Sequence, residues 1–218
     1  MNPIRELKRL ASPVAKPQAL AWDGATLWLS SRDEKTIHGL DPVRWVSTWS
    51  VAAPGTPWGM TAVNGSLAVL CGETEADTRI IRRCVPGRGF VPDYGLPCPE
   101  DLGSHLSYDG QSLILSQWYP KKLLFLDPLG QPTRVLLSPR GICGHCRAKD
   151  VFYLVTTDAE ETNEYYLTRI DPRPAVPVVT DVATIPFPAR ALAFDGNNFW
   201  TNHRAADQTV CFAPPAGA

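Results

Sequence analysis

The stretch PQALAWDGATLWLSSRDEKTIHGLDP, residues 17–42, contains two short apolar strands joined by an Asp-Gly turn, and a third strand that ends at a proline. Asp-Gly and Asn-Gly suit two-residue hairpins, because both central positions of a type I′ turn require a positive φ. Proline ends a strand because it cannot donate a backbone hydrogen bond. The stretch therefore predicts a small antiparallel β-unit.

The same unit recurs along the chain. Hairpins begin near residues 17, 57, 103, 143 and 189, and their turns are separated by steps of 40, 46, 40 and 46 residues. A third strand follows each hairpin, and a weaker fourth strand precedes the next one, as in VSTWSVAAP and TRVLLSP. Four strands per unit are the composition of a propeller blade. We predict an all-β, five-bladed β-propeller that forms one domain over residues 1–218.

The last unit shows only three strands before the sequence ends. The segment IRELKRLASP near the N-terminus resembles the missing fourth strand. We predict that residues 4–12 complete the fifth blade as its outer strand and close the ring. An open stack of five units is less favourable, because it leaves two sheet ends unprotected.

Composition argues against several classes of function. The formal net charge of -1 removes the usual electrostatic argument for nucleic acid or an anionic membrane as the main partner. The apolar runs are far shorter than the roughly 20 residues that cross a bilayer. The N-terminus lacks the apolar segment of a secretory signal, so we expect a cytoplasmic protein. The six cysteines are then expected to be mostly reduced thiols.

The first repeat, with ALAFDGNNFWTNHRAADQTV at residues 191–210, resembles bacterial propellers of the streptogramin lyase-like, glutamine cyclotransferase-like and NHL-type group. The resemblance extends from Gln18 to about Ala213. It implies an active site on one face around the central channel, where several members use a divalent metal or acidic residues. Five blades match the cyclotransferase-like members better than the seven-bladed lyases. No catalytic residue of the group is carried over to a position of this chain.

Chemically versatile side chains concentrate at one end of the predicted ring, where the inner strands begin and the second and third strands are joined. The candidate catalytic residues there are His105, His145 and His203. The candidate substrate-binding residues are Trp58, Gln117, Trp118, Tyr119, Arg190, Arg204 and Arg32. Trp58 and Trp118 fall outside the repeated aromatic pattern and are candidates for a ligand wall. The repeating aromatic positions, Trp22, Trp28, Phe194 and Trp200, are expected in the core.

A divalent transition metal is one possible cofactor. Imidazole and thiolate suit zinc or copper, and the candidate ligands are His105, His145 and His203 with Cys143 or Cys71. The alternative is that the histidines bond backbone groups around the channel. The acidic loop TTDAEETNE offers Asp158 or Glu160 to a hard cation, although such runs are usually solvated surface.

The pattern Cys143-Gly144-His145-Cys146 matches the motif of thiol-disulfide oxidoreductases. That chemistry requires a helix N-terminus, whose dipole lowers the pKa of the first thiol. Here the motif begins an inner strand, so the redox interpretation is disfavoured. Cys146 is expected to be a small buried hydrophobic side chain.

Two functions remain open at this point. The first is an enzyme with lyase, cyclase or hydrolase chemistry on a small molecule, in which histidines act as acid, base or metal ligand. Arginine would hold an anionic group in that enzyme, and tryptophan would hold the apolar part. The second is a non-catalytic module that binds a small ligand or a protein segment through Trp58, Trp118, Tyr119 and Arg32. A deep pocket favours the enzyme, and a broad exposed apolar patch favours the module.

Overall fold

The computed structural model describes residues 1–159 and 162–215, which form five sheets of antiparallel strands arranged as the blades of a β-propeller. Strand β1 (Glu6–Ala11) belongs to the last blade. The first blade, from the channel outward, consists of β2 (Pro17–Trp22), β3 (Leu27–Ser31), β4 (Thr36–Asp41) and β5 (Val46–Ala52). The second consists of β6 (Thr56–Val63), β7 (Ser66–Gly72), β8 (Arg79–Val85) and an outer position shared by β9 (Gly89–Phe90) and β10 (Leu96–Pro97).

The remaining blades follow the same order. The third consists of β11 (His105–Tyr108), β12 (Leu113–Gln117), β13 (Lys122–Leu126) and β14 (Pro132–Leu137). The fourth consists of β15 (Gly141–Ala148), β16 (Val151–Thr157), β17 (Tyr165–Asp171) and β18 (Val178–Ile185). The fifth consists of β19 (Ala189–Phe194), β20 (Phe199–His203), β21 (Gln208–Phe212) and β1. The predicted five-bladed propeller is confirmed.

The N-terminal strand closes the ring, as the sequence predicts. Strand β1 pairs antiparallel with β21, from Glu6 opposite Phe212 to Ala11 opposite Gln208. The backbone N–H of Ile4 also donates to the carbonyl of Thr184 in the fourth blade, at 2.8 Å. The first and last segments of the chain are thereby joined in one sheet, so the fifth blade has no missing strand.

The core lies between neighbouring blades. Five buried apolar clusters each combine residues of two adjacent sheets. In one of them, Leu20 and Leu29 of the first blade meet Ala193 and Trp200 of the fifth. Because each blade buries both faces, the second strands read as nearly continuous apolar runs rather than as alternating ones.

The Asp-Gly hairpins differ from the sequence prediction. Only Asn64-Gly65 forms the predicted two-residue turn with both φ values positive, at 46° and 77°. The Asp-Gly hairpins have four-residue turns, such as the one between Trp22 and Leu27. There the Asp23 carboxylate accepts backbone hydrogen bonds from Ala25 and Thr26, which is an Asx turn. Its second oxygen accepts the indole N–H of Trp28 at 2.7 Å, and this explains why aspartate and tryptophan recur together.

The second blade departs from the others in its outer part. After β8 the chain forms β9 and β10 and then a 3-10 turn, Pro99–Asp101, in which Glu100 and Asp101 have positive φ. A second 3-10 turn, Arg204–Ala206, follows β20. No helix among the described residues is long and apolar enough to cross a membrane.

Candidate functional site

A concave pocket of about 370 Å³ lies at the end of the ring where the inner strands begin, and we call it the upper pocket. Its walls come from inner strands, from the loops between second and third strands, and from the crossover that leaves the second blade. Four arginines and two aspartates line it: Arg32, Arg79, Arg190, Arg204, Asp77 and Asp101. Three aromatic residues, Trp58, Trp118 and Tyr119, complete the wall. Six of the seven predicted substrate-binding residues therefore meet in one cavity.

β-Bulges near the start of the inner strands direct side chains into this pocket. Four of the five inner strands have a register shift near their start. Trp58 is the extra residue between Pro57 and Gly59, and Cys143 is the extra residue between Ile142 and Gly144. A bulge leaves one residue unpaired and redirects its side chain. The repeat in the sequence carries no separate signal for these bulges.

The cationic wall is organised around Trp58. The Arg79 and Arg32 guanidinium groups lie over its ring, with 4.4 and 5.4 Å between each Cζ atom and the ring centroid. The indole N–H donates to Asp77 at 3.0 Å, and Asp77 forms an ion pair with Arg79. Trp58 thus positions two arginines, a role that adds to the predicted ligand contact.

A second group of bonds fixes the other two arginines. Arg190 is buried and donates to the Tyr165 hydroxyl at 2.8 Å, to its neighbour's carbonyl, and to the Cys143 sulfur at 3.7 Å. Arg204 donates to the side-chain carbonyl of Gln18, whose amide in turn donates to the Trp58 carbonyl at 3.1 Å. These bonds hold both guanidinium groups in defined orientations at the pocket wall.

Trp118 and Tyr119 form the aromatic side of the pocket. Their rings meet edge to face, with centroids 5.0 Å apart. A Cβ atom at Gly141 would overlap the Trp118 indole, so the glycine makes room for that ring. Tyr119 is 81% exposed at the rim. Gln117, the remaining predicted substrate-binding residue, is buried and donates to the Pro99 carbonyl at 2.9 Å, so it braces the 3-10 turn instead of lining the pocket.

His105 and His145 come together, as expected for neighbouring blades, but they lie deeper than the upper pocket. Their rings are 5.4 Å apart and only 1% and 0% exposed. Burial lowers the pKa of His105 to about 4, and burial together with the adjacent His105 ring lowers the pKa of His145 well below its usual value. Both imidazoles are therefore neutral near pH 7, and neither lines the upper pocket.

The channel narrows at this pair. A Cβ atom on Gly59 would lie 2.6 Å from the Cα of His105, and one on Gly144 would overlap the backbone of Ala191. The inner strands thus pack backbone to backbone around the two rings. We call this level of the channel the neck.

His203 does not join the other two histidines. It ends β20 and stacks on Phe187, with ring centroids 4.9 Å apart. Its Nδ1 lies 3.3 Å from a guanidinium nitrogen of Arg9 in the outer strand. Burial first, and then the Arg9 charge, lower the pKa of His203.

The predicted metal ligands do not converge. Within residues 1–159 and 162–215, no three His, Cys, Asp or Glu side chains form a group that could hold a metal ion. Cys143 lines the upper pocket beside Arg190, whereas Cys71 lies in the core between the first two blades, where burial raises its pKa to about 12. Asp158 pairs with Arg140 at 3.0 Å, and Glu160 lies outside the described residues. Cys146 is buried in strand β15, as predicted, with its pKa raised by burial.

Comparison with known proteins supports the fold. The structure resembles a glutaminyl cyclase from Myxococcus xanthus, with a TM-score of 0.55, 13% identity, and coverage of 83% of this chain and 100% of that one. It also resembles regucalcin from Agrobacterium tumefaciens, a calcium-binding protein (TM-score 0.59, 11% identity, 97% and 95% coverage). A virginiamycin B lyase from Staphylococcus aureus gives a TM-score of 0.53, 12% identity, and 94% and 83% coverage.

These similarities define a class and no more. The chain is a five-bladed β-propeller, and its structural neighbours include enzymes and a calcium-binding protein. No protein-family model matches the sequence, and no curated protein matches it. At these identities the resemblance shows the fold alone.

Proposed function

We propose that this propeller binds a small anionic molecule in the upper pocket. The observation that carries the proposal is the convergence of Arg32, Arg79, Arg190 and Arg204 on one concave site of about 370 Å³. Arginine offers a planar fork of donors that matches carboxylate and phosphate oxygens. Two aspartates also line the pocket, and one of them is already paired with Arg79.

The aromatic side sets the second property of the ligand. Trp118 and Tyr119 present ring surface next to the arginines, and ring stacking favours a flat apolar group. A ligand that carries a carboxylate on an aromatic or unsaturated body satisfies both sides of the pocket. Six buried cysteines without a disulfide among them support a reducing, cytoplasmic location for this function.

Catalysis is the second candidate, and one observation favours it. Two neutral imidazoles lie directly below the floor of the pocket, in the deprotonated state that a general base needs at pH 7. Lyase, cyclase or hydrolase chemistry would require the ligand, or a water, to reach the neck. Three structural neighbours carry the names of a cyclase, a lyase and a sugar dehydrogenase, and this chain shares only their fold. A metal has no part in this proposal.

A protein segment is the remaining alternative partner. The rim of the pocket exposes Tyr119 and Leu102, which suits contact with a larger surface. The pocket itself is concave and lined by charged groups, however, and that geometry favours a compact ligand over a broad interface.

Calorimetric titration with benzoate and with its uncharged isostere benzamide tests the proposal. We expect benzoate to bind and benzamide to bind at least about tenfold more weakly, because a bond to a charged group contributes about 1.5–3 kcal/mol. NMR spectra of the ligand in the same sample test turnover. Chemical conversion of the ligand would show that the protein is an enzyme.

A matched pair of variants locates the site. Arg32→Gln removes one guanidinium of the pocket and is expected to weaken benzoate binding about tenfold. Arg44→Gln removes an exposed guanidinium that pairs with Asp41 at the other end of the ring, and it should leave binding unchanged. Equal affinity for benzoate and benzamide, or equal loss in both variants, would refute the anion site.

A further inference from the structure

The side chains of the upper pocket are not spread evenly around the ring. The inner strands contact one another in the order β2, β6, β11, β15, β19 and back to β2, so the third blade lies opposite the junction of the fifth and first blades. Arg190 and Arg204 belong to the fifth blade and Arg32 to the first. Trp118 and Tyr119 follow the second strand of the third blade. The pocket therefore has a cationic side that faces an aromatic side across the channel.

One carboxylate belongs to the aromatic side. Asp101 lines the pocket from the crossover that joins β10 to β11, between the second and third blades. Both blades hold this crossover in place. The backbone N–H of Cys98 donates to the Arg79 carbonyl of the second blade at 3.1 Å. The Gln117 side chain of the third blade donates to the Pro99 carbonyl at 2.9 Å. The Asp101 carboxylate thus lies across the pocket from the arginines of the fifth blade.

Asp101 differs from the acidic residues near it. Asp77 forms an ion pair with Arg79, and Glu100 forms one with Lys122 at 3.6 Å. Among the described residues, Asp101 has no such ion pair, although it lines a pocket that contains four arginines. A free carboxylate opposes a purely anionic ligand, because like charges repel across a binding site. The pocket therefore favours a ligand that also offers a cation to Asp101.

The size of the pocket permits such a ligand. A cavity of about 150 Å³ admits a benzene ring. The upper pocket, of about 370 Å³, is more than twice as large. It therefore has room for one flat ring with a polar group at each end.

We propose that the ligand of the upper pocket is a zwitterion, a flat body with a carboxylate at one end and a primary ammonium group at the other. This inference rests on the proposed anion site and adds a second charge to its ligand. The carboxylate binds the arginines of the fifth and first blades, and the ammonium group binds Asp101. The flat body packs against Trp118 and Tyr119 between them.

The test is a calorimetric titration of the whole protein with para-aminomethylbenzoate and with para-ethylbenzoate. The two ligands have the same size and the same carboxylate, and they differ only in an ammonium group that replaces a methyl group. Such an amine is protonated at pH 7, as a lysine side chain is. The salt concentration is about 0.15 M, which screens charges more than roughly 8 Å away. We expect the zwitterion to bind about fivefold more tightly, the upper end for an ion pair at a solvent-accessible site.

Two variants of neighbouring residues provide the matched comparison. Asp101→Asn removes the charge and keeps the backbone, because asparagine tolerates the positive φ of 56° found there. It should weaken binding of the zwitterion about fivefold and leave para-ethylbenzoate unchanged or slightly tighter, because a like charge has been removed. Glu100→Gln changes a carboxylate of the same turn that pairs with Lys122 and is not part of the pocket wall. It should change the affinity for neither ligand.

The outcomes separate this inference from the anion site on which it rests. If para-ethylbenzoate binds and the ammonium group adds no affinity, the zwitterion is wrong and the anion site stands. If neither carboxylate binds, the anion site fails and the zwitterion fails with it. Equal losses for the two ligands in Asp101→Asn, or equal losses in Asp101→Asn and Glu100→Gln, would also overturn the contact between the ammonium group and Asp101.

Discussion

The upper pocket and the neck lie one layer apart on the same inner strands, yet their backbone geometry and the size of their side chains differ. At the upper pocket, bulges turn Trp58 and Cys143 out of the regular register, and long side chains fill the space between loops. At the neck, glycine and alanine bring backbones together, and two imidazoles occupy the remaining space. The first region keeps charged groups at a surface, whereas the second buries two neutral rings. The same inner strands therefore form an open, charged pocket in one layer and a closed, tightly packed channel in the next.

The largest effect on stability is expected from a substitution that overpacks the neck. Gly59→Val places a Cβ atom 2.6 Å from the Cα of His105, where no side chain can move aside. We expect the free energy of unfolding to fall by more than about 3 kcal/mol, at the upper end of overpacking effects. Denaturant unfolding measures it. The comparison variant is Gly65→Asn, at a hairpin turn with φ of 77° and no neighbouring atoms, which should lose less than about 1 kcal/mol.

If Gly59→Val unfolds at the denaturant concentration of the wild type, the backbone contact at the neck is not tight. The two imidazoles alone would then close the channel at the neck.

The second-largest effect is a pH dependence of the free energy of unfolding, which arises from the two histidines of the neck. The pKa of His105 is lowered from 6.5 to about 4, and that of His145 lies well below 6.5. As the pH falls below 6.5, the two imidazoles bind protons in the unfolded chain but stay neutral in the folded protein. The free energy of unfolding therefore decreases. It is constant above pH 6.5 and is lost progressively toward pH 4, by about 3 kcal/mol for His105 alone.

Urea unfolding between pH 7.5 and about 5.5 measures this slope, above the range in which most carboxyl groups titrate. His105→Leu should remove about half of it, whereas His203→Gln, on a half-buried histidine far from the neck, should change it little. A flat profile over this interval would show that the two imidazoles are hydrated in the folded protein.

The repeat in the sequence predicts the parts of the molecule that depend on local pattern. Asp23 and Trp28, or Asp195 and Trp200, recur because each pair bonds within one hairpin. The same repeat places His105 and His145 in adjacent blades, and closure by β1 follows from the missing strand.

Features that depend on irregular geometry are not predictable in this way. Arg79, Asp77 and Asp101 reach the upper pocket through a ring stack and through the crossover of the second blade, neither of which leaves a periodic signal. His203 lies at the expected end of its strand, but Phe187 and Arg9 hold it away from the channel. Those two partners are far apart in sequence, so only the assembled ring brings them together.

A smaller effect distinguishes a tryptophan of the site from one of the core. Trp58→Phe and Trp28→Phe each remove an indole bond to an aspartate, and each should cost about 1 kcal/mol of stability. Only Trp58 lies under the two arginines, so only its variant should also weaken benzoate binding, by about threefold. Calorimetry measures the benzoate affinity of both variants, and denaturant unfolding measures their stability. Equal binding by both variants would mean that Trp58 does not organise the cationic wall.

The smallest effect on the fold comes from the rim. Tyr119 is 81% exposed, so Tyr119→Ala should change the free energy of unfolding by less than about 0.5 kcal/mol. Its ring stands edge to face against Trp118 beside the pocket, and its loss should weaken benzoate binding about threefold, the scale of one aromatic contact. Leu129→Ala, on an exposed turn at the opposite end of the ring, is the matched control and should change neither quantity. A Tyr119→Ala protein that binds benzoate as tightly as the wild type would confine recognition to the arginines, and the aromatic half of the ligand would no longer be required.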